Sequence, residues 1–176
     1  MPARAALLHQ LARIEAEKDA LLAELDRCSP TRSETVPYTG GWTVAQVITH
    51  LAVIEEGAVA YLNKKLEFKK HRPLPITTAL RFVVLQAGIQ LPVKYKAPAV
   101  VADIPATSYA VARARWCAAR EELIRAYTSL PDGFLTHDLF KHPFMGRFNV
   151  VQAVRFIRRH ARRHRGQVAR TLAALG

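Results

Sequence analysis

Apolar residues recur at helical spacing in several stretches of the chain. Leu7, Leu11, Ile14, Leu21 and Leu25 fall three, four and seven apart, while Glu15, Glu17, Asp19, Glu24 and Asp26 lie largely off that stripe. One apolar face opposite a charged one is the mark of an amphipathic helix, here over about residues 3–28. Ser29-Pro30 ends it. After a short loop containing Pro37, Gly40, Gly41 and Trp42, Thr43 and Gln46 stand three apart, the spacing of a capping box. Val44, Val47, Leu51, Ile54, Ala58 and Leu62 then carry a second helix, about 43–69.

Five prolines, Pro73, Pro75, Pro92, Pro98 and Pro105, punctuate the next stretch. Within it, the run from Thr77 to Gln90 fits a helix or a buried strand. Helix is favoured because no other segment offers a strand partner. Thr107 or Ser108 caps a third helix that runs to Leu130, where Pro131-Asp132-Gly133 stops it. Asn149 with Gln152 opens a fourth, reaching almost to Gly176. The expected architecture is an all-α four-helix bundle, one domain over residues 1–176, with a long crossover between helices 2 and 3.

Composition changes this picture little; charge changes it more. Half the residues are hydrophobic and 23% are charged, as in an ordinary globular chain of 176 residues. Cys28 and Cys117 are too few for a disulfide framework. No uncharged run is long enough to cross a membrane, and the first residues carry charge too early for a signal peptide, so a cytoplasmic protein without membrane contact is expected. The formal net charge, however, is +12, and after Asp138 there is no acidic residue. Lys141, Arg147, Arg155, Arg158, Arg159, Arg162, Arg163, Arg165 and Arg170 all fall in that last stretch. A basic helix of this kind makes nucleic acid a secondary candidate partner. The arginines nevertheless spread around three sides of the helix with no interleaved aromatics to stack bases. The wet face of an amphipathic helix explains them more simply.

Seven histidines are present, and four of them, His9, His71, His137 and His142, fall at a helix start or in loops without pattern. His160 and His164 are four apart on the fourth helix and share a face. At about 100° per residue that face is the apolar one, near Val150, Ala153, Val154, Ile157, Ala161, Val168 and Leu172. Two imidazoles aimed into a helical interior need hydrogen-bond partners or a metal ion. His50 lies between Val47 and Ile54 at the edge of the second helix's stripe, where it can be a third ligand or a structural histidine. Three nitrogens with open positions is the arrangement of catalytic rather than closed structural metal sites.

Two motifs bring in a resemblance. The segment Gly41-Trp42-Thr43, followed by Gln46-Val47-Ile48-Thr49-His50-Leu51 and then Glu55, resembles the first motif of the DinB-like (YfiT-like) metalloenzyme superfamily. The segment from His142-Pro143-Phe144-Met145-Gly146 through Asn149 and Gln152 to His160, His164 and Gln167 resembles its C-terminal signature. The two cover about a third of the chain, in the right order. The resemblance implies a four-helix bundle with a central divalent metal bound by His50, His160 and His164. It also implies relatives that include S-transferases and isomerases using low-molecular-weight thiols. Val53 stands where the family often carries an acidic residue, which removes any acid–base role at that position.

The chemistry expected of such a centre is metal-assisted nucleophilic attack, either thiol transfer or hydrolysis of a small-molecule substrate. No side chain is assigned as catalytic, and a metal-bound water or thiol is the expected nucleophile. Imidazole ligands suit zinc or nickel first, with iron or manganese as alternatives. Glu55 and Gln167 are candidates to support an imidazole N–H from outside the ligand set. The alternatives are a basic nucleic-acid-binding protein and a non-catalytic bundle, and a homodimer fits any of these readings.

Overall fold

The computed structural model describes residues 2–38, 41–69, 71–74, 103–142 and 146–176. Its long elements are helices α1 (Ala3–Leu25), α3 (Val44–Glu67), α4 (Tyr109–Thr128) and α5 (Val150–Ala174), with a short helix α2 (Pro30–Glu34) after the first. The fold is all-α. The helix favoured for Thr77 to Gln90 lies outside the described residues.

Local chemistry sets the helix ends. The Thr43 hydroxyl accepts from the Gln46 amide while the Gln46 side chain accepts from the Thr43 amide. Asn149 and Gln152 repeat that capping box at the start of α5. Each box satisfies donors that the first helical turn leaves orphaned. Ser29-Pro30 does more than end α1. Ser29 accepts from the Arg32 amide and Pro30 takes the first helical position, so the pair starts α2.

Two small elements depart from the expectation of a chain without strands. Phe140–His142 (β1) and Gly146–Phe148 (β2) pair antiparallel as a hairpin. Gly146 sits at φ +85, a conformation in which a side chain would be strained, so the turn requires glycine there. Phe140 and Phe148 stack across the hairpin and close the lower core. Three-residue strands have no periodicity to read, and only the docking of these aromatics makes them pair.

Contacts give the helix directions. Glu17 meets Arg158 and Arg162, and Glu24 meets Arg165, so α1 and α5 run parallel. Val47 and Leu51 share one apolar layer with Ala112 and Trp116, and Leu62 shares the other with Leu123 and Tyr127, so α3 and α4 also run parallel. Asp26 meets Arg113 near one end of α1, while Arg4 meets Asp132 beyond the far end of α4, so these two helices are antiparallel. Parallel neighbours that follow each other in sequence need a connection that returns along the helices. The path of that connection lies mostly outside the described residues.

The interior forms two apolar layers. One joins Leu7, Leu11 and Ile14 to Leu62, Leu123, Tyr127, Val154 and Ile157. The other joins Leu21 and Leu25 to Val47, Leu51, Ala112, Trp116 and Val168. The second layer flanks the histidines.

Candidate metal centre

His50 is carried by the first half of α3, where it is only 3% exposed. His160 and His164 come from the middle of α5, one turn apart, and are half-buried. Antiparallel packing of α3 against α5 brings the three imidazoles together across the interior. His50 Nε2 and His160 Nε2 stand 3.0 Å apart. One ring nitrogen from each of the three residues lies within 4.8 Å of the others. The ring centroids are 5.2 Å apart for His50 and His160, 4.7 Å for His50 and His164, and 4.5 Å for His160 and His164.

Neighbouring side chains set the orientation of these rings. Gln167 Oε1 lies 2.9 Å from His164 Nδ1. With the amide oxygen accepting, Nδ1 carries the proton and Nε2 is left as the lone-pair nitrogen. Burial holds the His164 pKa down to about 4, with the neighbouring His50 and Arg163 pushing it the same way and the Gln167 bond opposing them. His164 is therefore neutral at physiological pH, the state in which an imidazole binds a metal. Phe156, one turn before His160 on α5, lies nearly parallel to its ring at 5.8 Å between centroids. Trp42, in the loop just before the α3 cap, also packs against His50 at 5.2 Å.

The sequence reading missed Phe156 as part of the site. Its spacing of four from His160 was the available signal, because side chains at i and i+4 touch on a helix. Glu55 turns elsewhere. One of its carboxylate oxygens accepts from Trp116 Nε1 at 2.9 Å and from Arg120 at 2.6 Å, and the other accepts from Arg120 Nε at 2.8 Å. The carboxylate is occupied by α4, while Gln167 does support an imidazole, that of His164.

The donor set fits one divalent ion. Two imidazole nitrogens on the same zinc ion, each at about 2.0–2.1 Å, stand roughly 3.0–3.4 Å apart. His50 and His160 already have that spacing, and a small rotation of an imidazole closes the widest gap. No carboxylate or thiolate joins the cluster among the described residues, so the ligand set is neutral and an ion would keep its full charge.

The arginines of α5 serve a different purpose from the one their number implies. Arg158 and Arg162 both bind Glu17, and Arg165 binds Glu24, so three of the nine basic residues of the C-terminal stretch hold α1 against α5. Glu17 and the three arginines line a cavity of about 80 Å³ together with Ile14, Leu21 and Ala161. No described helix is long and apolar enough to cross a membrane.

A family model describing the DinB superfamily matches residues 13–168, which span every residue of the histidine cluster. No curated protein and no solved structure matches the chain.

Proposed function

The chain belongs to the DinB superfamily, and on that premise we propose that His50, His160 and His164 hold one divalent metal ion in a metal-dependent enzyme. Zinc or nickel is the first choice, because imidazole suits both; iron follows on the same ground, and manganese, which favours oxygen ligands, comes after it. Thiol-dependent S-transfer or hydrolysis of a small-molecule substrate is the proposed reaction class. A low-molecular-weight thiol is the co-substrate in the first case. When bound, the ion supplies the Lewis acidity that makes a thiol or a water nucleophilic near neutral pH.

The protein's own groups have definable tasks in that scheme. Burial fixes the His50 ring before any ligand arrives, which lowers the entropy lost on binding. Gln167 keeps the His164 Nδ1 proton in place and so aims the opposite nitrogen. Phe156 and Trp42 cover the outer faces of two imidazoles with apolar surface, which lowers the local dielectric and strengthens every charge interaction at the centre.

The observation that carries the reading is the convergence of three imidazoles from two antiparallel helices. Metal content measured by mass spectrometry on untagged protein tests it, with wild type beside His160→Ala. One tightly held ion per chain, lost in the variant, is the expected result and justifies a screen of thiol-transfer substrates. Absence of a tightly held ion in the wild type after incubation with zinc, nickel, manganese and iron would overturn it.

A further inference from the structure

Two histidines without pattern in the sequence meet in the structure. His71 follows α3, and His137 precedes β1. Their Nδ1 atoms lie 2.8 Å apart, and their rings are within 28° of parallel. The site is distinct from the three-histidine centre. Lys65, which binds Asp138 beside His137, stands fifteen residues beyond His50 on α3, a rise of about 22 Å.

Backbone contacts hold the two segments that carry the rings side by side. The Arg72 amide donates to Asp138 Oδ1 at 2.7 Å, and the Asp138 amide donates to the Arg72 carbonyl at 2.9 Å. The Leu74 amide donates to the Thr136 carbonyl at 3.2 Å, and Pro73 forms a bridge with His137. Phe134 presents its edge to His71 at 4.6 Å and lies 5.5 Å from His137. Asp138, 2% exposed, takes Lys65 at 3.0 Å and Arg147 at 2.6 Å as well. Its carboxylate is committed to those cations and anchors the histidine segment.

The geometry points to a second metal site, formed by His71 Nδ1 and His137 Nδ1 and completed by solvent. Without metal, two facing Nδ1 atoms share one proton, one ring donating and the other accepting. Metal binding needs both lone pairs, so the donating ring moves its proton to Nε2 through solvent and no net proton is released. Both rings are half-buried, which leaves room for water in the remaining positions. The ligands are neutral, and the one carboxylate beside them, Asp138, is already paired with Lys65 and Arg147. Such a site rejects magnesium and calcium, which need oxygen ligands and negative charge. It selects the ions that bond most strongly to imidazole, copper(II) first and then nickel and zinc. An ion there would tie the segment after α3 to the loop before the hairpin.

The test is copper(II) titration of the metal-stripped, untagged full chain, read by bound equivalents and by electron paramagnetic resonance. Wild type is expected to take two equivalents with distinct spectra. His71→Gln and His137→Gln should each take one, keeping the spectrum of the three-nitrogen centre. His160→Ala should lose that spectrum and keep the other, so failure of either site is read separately. A spectrum and stoichiometry unchanged in both His71→Gln and His137→Gln, with circular dichroism showing the native helix content, would overturn the proposal. So would loss of only one equivalent when His137→Gln and His160→Ala are combined.

Discussion

Five residues apart on α3, His50 and Glu55 are both buried polar side chains, and their surroundings are opposite in kind. Glu55 meets complementary partners: its two oxygens face three donors from Trp116 and Arg120, and Arg120 also donates to the Ile14 carbonyl. Charge and hydrogen bonds close on themselves, and such a network fixes how α1, α3 and α4 sit together. His50 meets its own kind. Three imidazoles converge, and among like groups only one can donate between any two. A complementary cluster closes on itself, whereas a convergence of like imidazoles is the arrangement from which the proposed ion would take its ligands. The comparison sets a polar group with complementary partners beside one with like neighbours on the same helix.

The largest effect should fall on the finished network. Glu55→Ala leaves Arg120 charged and buried with only the Ile14 carbonyl and a looser contact to Glu15 at 3.5 Å, and should cost about 3–5 kcal/mol of folding stability in denaturant unfolding. Replacing the pair together, Glu55→Leu with Arg120→Met, should recover most of that loss, because the desolvated charges leave together. If the double variant is no better than the single, the two residues do not act as an ion pair.

Next comes the unfinished cluster. Metal at 100 times its dissociation constant should stabilise the wild type by about 2.7 kcal/mol, which raises Tm by roughly 5–10 °C in a chain of this length. His160→Ala should abolish that share of the shift in calorimetry while the apo protein stays folded. An equal shift in the variant would mean that His160 is not a ligand.

Gln167→Ala tests orientation alone. It removes the acceptor at His164 Nδ1 without touching a ligand, and metal affinity should fall roughly 10–100-fold in a competition titration. Gln167→Glu, which restores an acceptor, should recover it.

The smallest effect concerns the arginine face. Burial would raise the Glu17 pKa, but hydrogen bonds and charge from Arg158 and Arg162 outweigh it and hold the carboxylate below its usual range. A lowered folded pKa means stability that is present above the unfolded value near about pH 4.3 and lost as pH falls below it. Glu17→Gln should therefore cost less than about 1 kcal/mol at pH 7 and flatten the acid limb of the stability curve. An unchanged acid limb would show that the pair carries no measurable charge coupling.

Helix-forming segments were legible because apolar spacing and caps are local signals. The boxes at Thr43–Gln46 and Asn149–Gln152 were readable from three-residue spacing, and both form. His160 and His164 were readable as a pair because one helix places residues i and i+4 on one face. The β1–β2 hairpin and α2 were not, since short elements owe their form to what they pack against. Glu55 was a candidate to support an imidazole, and the packing of α4 gave its carboxylate to Trp116 and Arg120 instead.

By itself, the sequence determined the four long helices among the described residues, where they begin, and which faces turn inward, because those depend on contacts within a few residues. Tertiary structure decided everything that joins distant residues. It set the parallel pairing of α3 with α4, brought His50 to His160 across the interior, and turned nine C-terminal cations partly into a clamp on α1. It also brought His71 against His137. No local pattern encodes those meetings, because each is fixed by the packing of elements far apart in the chain.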